Sequence, residues 1–214
     1  MAVYNADHKS KNTIKISDLT VSRGDIPIFD PVNLQLSSGD SIQIRGVNGA
    51  GKTTLLRAIC GLCNSHEGIV EWNERSIFDH ESDFYENLLY LGHSLGLKPK
   101  LTAEQNLNFY RNLRFSTDKS LVRQALEQTG IGGYYDEFVA RMSAGQKRRV
   151  ALARVITEPV PLWILDEPMV ALDIHGQAWL EQVCNNHLER GGILLVTSHQ
   201  PISGINGLRE LQLT

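Results

Sequence analysis

No stretch of this 214-residue chain approaches the roughly 18 consecutive apolar residues that a bilayer span requires. Its polar opening, MAVYNADHKSKNT, lacks the apolar stretch of a secretory signal. The chain is therefore expected to stay in the cytoplasm unless a partner holds it elsewhere. Cysteine is scarce as well: Cys60, Cys63 and Cys184 are an odd number in a chain large enough to fold without staples, which fits a reducing compartment. Long basic blocks are missing. The longest Lys/Arg run is Lys147-Arg148-Arg149 and the formal charge is −3, which argues against broad electrostatic capture of nucleic acid. With 42% hydrophobic residues, Gly 18 and Pro 7, the composition excludes disorder, collagen-like repeats and a coiled coil. No internal repeat or low-complexity linker interrupts it.

What is present is the patterning of one α/β domain. IKISDLTVS from Ile14, FDPVNLQLS from Phe29 and SIQIRG from Ser41 alternate apolar and polar positions, with turn signals at Arg23-Gly24-Asp25 and Ser37-Ser38-Gly39-Asp40. These predict three strands ahead of GKTTLLRAICGL, where the spacing becomes helical and Leu55, Leu56, Ile59 and Leu62 fall on one face. From about 95 to 155, LTAEQNLNFYRNLRF, KSLVRQALEQTG and SAGQKRRVALARVIT are helical, predicting an inserted helical subdomain. After Pro159 and Pro161, LWILDE and GGILLVTSH read as parallel strands buried on both faces, with a helix from Gly176 to about Glu189 between them.

Between the third predicted strand and the first helix lies GVNGAGKTT, which matches G-x-x-x-x-G-K-[ST] at Gly46, Gly51, Lys52 and Thr53. Four such positions recur by accident in roughly one chain of this length in a hundred, before the strand–helix context is demanded. The glycines let successive N–H groups of Gly46, Val47, Asn48, Gly49, Ala50, Gly51, Lys52, Thr53 and Thr54 turn toward phosphate oxygens. Lys52 is expected to reach the β and γ phosphates, and the Thr53 hydroxyl to ligate Mg²⁺. PLWILDEP places Asp166 and Glu167 at the carboxyl end of a buried strand, where α/β sheets gather ligands. Asp166 is expected to hold Mg²⁺ through its water shell, and Glu167 to polarise the attacking water. His199 ends the next apolar strand and is expected at the same sheet edge, against the γ-phosphate.

MSAGQKRRVALARV sets Ser143 as a helix N-cap ahead of an amphipathic helix. Here the chain resembles the ATP-binding subunits of ABC transporters, because Ser143-Ala144-Gly145-Gln146 is close to the family signature LSGGQ and precedes LWILDE as in that family. The resemblance covers about residues 14 to 200. It implies a P-loop NTPase of the ABC ATPase type: a RecA-like parallel sheet core, an N-terminal antiparallel β subdomain and the helical insertion. The expected domain runs over 12–211, with its catalytic core in 14–94 and 156–211 and the insertion at about 95–155. It further implies ATP and Mg²⁺ as ligands, Glu167 as catalytic base, Ala171-Leu172-Asp173 as the D-loop and His199 as the switch histidine. A second copy is implied too, in a head-to-tail dimer where Ser143, Gly145 and Gln146 grip the nucleotide bound by the opposing copy.

Two positions depart from the family. His93 stands where a Mg²⁺-sensing glutamine is usual, so the resemblance makes His93 an altered metal-site ligand. The adenine-stacking aromatic is missing and Arg23 is the nearest candidate, through the plane of its guanidinium. LYLGHSLGLKPKLTAEQNLNFY from Leu89, with SAGQKRRVALAR and LWILDEP, resembles the haem-exporter subfamily of the cytochrome c maturation system, although Gln105 replaces a Glu in its motif. That implies integral membrane subunits of that system as partners, docked around the insertion and residue 93, and a place on the cytoplasmic face of the bacterial inner membrane. Another ABC transporter, a soluble ABC ATPase remodelling a nucleic-acid or translation complex, and a module using ATP as structural glue are the alternatives.

Cys60-Gly61-Leu62-Cys63 with His66 invites a haem or zinc reading, but haem attachment needs His where Asn64 stands, and zinc needs a fourth ligand. A core role is expected instead. Arg148 and Arg149 read equally as a solvated helix face or as contacts to an opposing nucleotide, and Phe109, Tyr110 and Phe115 as core or partner contact.

Overall fold

The computed structural model of the chain describes residues 11–63, 66–116 and 118–213. The opening residues 1–10 and Asn64, on which the leader and haem arguments lean, lie outside them. In chain order the elements are β1 (Thr13–Arg23), β2 (Ile26–Pro27), β3 (Val32–Ser37), β4 (Ser41–Arg45), α1 (Lys52–Ile59), β5 (His66–Trp72), β6 (Arg75–Ser76), α2 (Glu81–Glu86) and β7 (Leu88–Leu91). There follow α3 (Ala103–Asn112), α4 (Lys119–Gln128), a single 3-10 turn at Val139–Arg141, α5 (Ala144–Leu152), α6 (Arg154–Thr157), β8 (Leu162–Leu165), α7 (Ile174–Glu189), β9 (Ile193–Thr197) and β10 (Arg209–Gln212). Two compact units result. One contains both sheets; the other gathers Ser94–Pro159 and Met169–Val183.

In the first unit a parallel sheet runs in the order β10-β4-β9-β8-β7. All residues of β8 and β9 are buried, as their unbroken apolar runs LWIL and ILLVT require of strands covered on both faces. The second sheet is antiparallel, with β1 between β3 and β5. Its inward face starts on Ile14 and Ile16, then changes phase to Leu19 and Val21. A bulge causes the change: pairing shifts between Ile16 and Leu19 toward β3 and between Ser17 and Thr20 toward β5, and Asp18 takes a positive φ of 48°. Gly68 lies opposite with φ +94°, and a Cβ there would sit 2.5 Å from the Asp18 carbonyl oxygen, so no side chain is tolerated.

Between α1 and β7 the chain forms β5, β6 and α2, which periodicity did not bring out. β6 has two residues and α2 six, and in β5 only Val70 and Trp72 are buried while Ile69 is exposed. The predicted face of α1 also needs correction. The helix stops at Ile59, where the N–H groups of Gly61 and Leu62 fold back on the carbonyls of Ala58 and Arg57, leaving Leu62 45% exposed. Cys60 is fully buried, and burial, with the Asp166 charge adding to it, pushes its thiol well up from the ordinary range. The Nδ1 of His66 lies 2.7 Å from the Cys63 carbonyl oxygen, and its ring stacks on Phe78.

In the second unit, caps set the helix starts. Thr102 and Gln105 form a capping box on α3: the Thr102 hydroxyl accepts from the Gln105 N–H at 3.2 Å, and Gln105 Oε1 accepts from the Thr102 N–H at 3.0 Å. This explains why Gln can stand where the subfamily motif has Glu, since the box uses only a side-chain acceptor. One turn on, the buried Asn106 ties down the preceding loop. It accepts from the Lys98 N–H and donates to the carbonyls of Lys98, Leu101 and Thr102. Tyr110 lies on the same face, donating to the Gly96 carbonyl, with the Arg154 guanidinium 3.9 Å above its ring and Arg154 paired to the buried Glu158. Arg114 also pairs with Glu158. Tyr110 is thus a structural anchor. Phe109 is partly exposed with Lys98 over its ring, and Phe115 lies near the guanidinium groups of Arg111 and Arg114.

Candidate functional site

The loop between β4 and α1 gathers around Lys52. Gly51, with φ +91°, turns the chain into α1. A Cβ on Gly51 would lie 2.8 Å from both Ile28 Cγ2 and Phe29 Cδ1, so the loop packs too closely on that segment for any side chain. Lys52 is only 7% exposed, and its ammonium donates to the carbonyls of Gly46 at 2.8 Å and Val47 at 3.3 Å. The cation is thereby held against the loop at the edge of the cavity its residues line, where a phosphate would meet a fixed positive charge.

The carboxyl ends of β8 and β9 meet this loop in the same unit. Asp166, 1% exposed, accepts the Thr53 hydroxyl on Oδ2 at 2.8 Å and the Thr197 hydroxyl on Oδ1 at 2.7 Å. Thr197 in turn accepts the N–H of Glu167 at 2.8 Å. Glu167 sits at φ +51°, a left-handed conformation that costs a residue with a Cβ on the order of 1–3 kcal/mol. Its Oε1 lies 3.3 Å from the Nε2 of His199.

These groups border a cavity of about 350 Å³. Asn48, Gly49, Gly51, Lys52, Thr53 and Thr54 form one wall, and Glu167 and His199 another. Arg23 and His93 also reach the cavity, both exposed, together with Ile28. Gly46, Val47 and Ala50 complete the turn, closed by the Ala50 N–H on the Val47 carbonyl at 3.1 Å. Ser143, Gly145 and Gln146 belong to the other unit. There Ser143 caps α5: its hydroxyl accepts from the Gln146 N–H at 3.2 Å, and Gln146 Oε1 accepts from the Ser143 N–H at 2.8 Å. Of the two arginines left open, Arg148 is buried and Arg149 is held at both ends, so neither belongs to a freely solvated face.

Thr197 was missed in the sequence. It is the hinge of the site, because one hydroxyl joins the side chain of Asp166 to the backbone of Glu167. Its signal was a lone hydroxyl closing the all-apolar strand ILLVT. Thr197→Val leaves the buried Asp166 Oδ1 and the Glu167 N–H each without this partner, and phosphate release is expected to slow by about tenfold. Thr197→Ser keeps the oxygen and is expected to recover most of the rate. Equal rates in the Val and Ser variants would remove Thr197 from the site.

Comparison with known proteins agrees with this geometry. A family model described as ABC transporter matches residues 29–170. The cytochrome c biogenesis ATP-binding export protein CcmA of Yersinia pestis is 41% identical over 193 residues, 90% of this chain and 88% of its own. The protein of that name from Aliivibrio fischeri is 41% identical over 201 residues, 94% of this chain and 98% of its own. A dimeric structure of a post-hydrolysis state of an ATP-binding cassette, bound to ADP and Pi, superposes with a TM-score of 0.76 over 87% of this chain and 88% of its own, at 23% identity, which is likeness of fold. A P-loop held against two adjacent carboxylates, a family match across most of the chain and identities of this extent together establish that the chain belongs to the ATP-binding proteins of the ABC transporters, among those of cytochrome c biogenesis.

Proposed function

We propose that this chain is the ATP-hydrolysing subunit of a membrane complex that exports or releases haem during cytochrome c biogenesis. The observation that carries the ATPase reading is the convergence within one unit of Lys52, Thr53, Asp166, Glu167 and His199, with the Thr197 hydroxyl linking the Asp166 side chain to the Glu167 backbone. The loop from Gly46 to Thr54 wraps the phosphates, Lys52 bridges the β and γ groups, and Arg23 offers its guanidinium plane to adenine. Thr53 and Asp166 supply the hard oxygen donors that suit Mg²⁺, which neutralises phosphate charge when bound. His93 faces the same cavity in the place of the usual glutamine.

Glu167 accepts a proton from water as its oxygen bonds to the γ-phosphorus. The bond from that phosphorus to the bridging oxygen breaks, and ADP keeps the electron pair. His199, beside the Glu167 carboxylate, orients the γ-phosphate. Residues 12–211 act as one ABC domain with its helical insertion, and two copies close head to tail over two nucleotides. In that dimer Ser143, Gly145 and Gln146 of each copy meet the nucleotide bound by the other. Opening and closing drives integral membrane subunits on the cytoplasmic face of the inner membrane. No helix among the described residues is long and apolar enough to cross a membrane.

The test is to tag the chain, solubilise host membranes in mild detergent, and identify what co-purifies while recording haem absorption. Integral membrane proteins recovered together with haem are expected. Membrane partners without haem would keep a transporter and discard haem as its cargo. Ribosomes or nucleic acid from the soluble fraction would overturn the transporter reading.

A further inference from the structure

Arg149 reaches from the helix that follows Ser143 into a slot lined by backbone. Its Nη1 donates to the Thr129 carbonyl at 2.9 Å and its Nη2 to Asp173 Oδ1 at 2.8 Å. Glycines flank the guanidinium. A Cβ on Gly130 would lie 3.0 Å from Nη1, and one on Gly176 would lie 3.4 Å from Nη2. A Cβ at either position would therefore press on the fork, which would have to give by a few tenths of an ångström.

Asp173 has two tasks at once. The same Oδ1 accepts the Gly176 N–H at 2.8 Å, so Asp173 caps the start of α7 while it receives Arg149. The Gly176 N–H, with the Arg149 guanidinium beside it, holds this carboxyl below the usual range, and it is charged at neutral pH. A second contact joins the same two segments nearer the signature: the position a Gly145 Cβ would take is 3.5 Å from the carbonyl oxygen of Ala171, a residue at φ +64°. The signature turn and the 171–173 loop therefore lie close at Gly145 at one end and are tied by Arg149 at the other.

We propose that Arg149 is a positioning residue that locks the signature turn and the 171–173 loop into one rigid piece, which meets the second copy's nucleotide as a unit. This rests on the head-to-tail reading above. A salt bridge at the surface contributes little by itself. A planar fork holding a backbone carbonyl and a helix-capping carboxylate at once orients both segments, which an ammonium on a flexible stem does less well.

The test uses the full chain carrying Glu167→Gln, in which bound ATP persists, and follows ATP-driven dimerisation by sedimentation. Arg149→Ala is expected to weaken the dimer about tenfold, with ATP affinity of the monomer unchanged, and Arg149→Lys to recover part of the loss. Asp173→Ser keeps a capping oxygen for α7 but is too short to reach the guanidinium, so it is expected to weaken the dimer similarly. The double variant Arg149→Ala, Asp173→Ser is expected to add little to either single change. Additive losses would mean that Arg149 touches the nucleotide directly, and a dimer of unchanged strength would mean that the lock is idle; either result overturns the proposal. If the parent stays monomeric with ATP bound, the head-to-tail reading fails, and the role given to Arg149 fails with it. Should Arg149→Ala unfold, the comparison of Arg149→Lys with Asp173→Ser decides.

Discussion

Glu167→Gln is expected to bind ATP as tightly as the parent and to hydrolyse it at least about a hundredfold more slowly, the scale of a lost general base. The amide has nearly the shape of the carboxylate, and the Thr197 hydroxyl holds the backbone of residue 167 rather than its side chain, so the left-handed turn survives. What the proposed mechanism loses is a carboxylate basic enough to take a proton from water, at a side chain whose Oε1 lies 3.3 Å from His199 Nε2. Equilibrium binding of a fluorescent ATP analogue and steady-state phosphate release measure the two halves of the expectation. Turnover near the parent rate would remove Glu167 as the base and direct attention to His199.

Lys52→Ala is expected to fail one step earlier, in binding. The ammonium is nearly buried, held by two carbonyls of its own loop, and charge-assisted hydrogen bonds of this kind contribute about 1.5–3 kcal/mol each. Losing those to two phosphates is expected to weaken ATP binding by at least about a hundredfold. Removing the ammonium also leaves the Gly46 and Val47 carbonyls without this donor, which loosens the loop before any nucleotide arrives. Isothermal titration against ATP, with thermal unfolding as a control on the fold, reads the effect. Unchanged affinity in a folded variant would sink the phosphate-loop assignment.

Much of this site was legible because its chemistry sits at strand ends. LWILDE and ILLVTSH announce buried strands by apolar runs alone, and polar residues just past the two runs, Asp166 and Glu167 after one and His199 after the other, come to the same edge. Thr197 escaped because a threonine inside a β-branched run looks like an ordinary strand residue; only the register of β8 beside β9 shows that its hydroxyl faces Asp166. In β1 the phase change from Ile16 to Leu19 was written in the sequence, but its cause, a bulge facing Gly68, needed the partner strand. The elements β5, β6 and α2 were hidden for a different reason: β6 and α2 are short, and β5 buries only Val70 and Trp72, so local periodicity is weak in all three. Leu62 fitted a helical face by spacing, yet the turn at Gly61 ends the helix before it. Spacing carries the interior of an element better than its end.

The grip of Asn106 on residues 98–102 bears on how this protein meets anything that lands there. A nine-residue connection such as 94–102 would ordinarily sample many shapes, and whatever bound it would have to freeze them, at about 1–2 kcal/mol for each residue ordered. Here the amide of one buried side chain ties the loop at Lys98, Leu101 and Thr102, and Tyr110 holds Gly96 a turn further along. A ligand of this loop docks onto a shape that exists beforehand, so its arrival is a rigid-body event with little induced ordering.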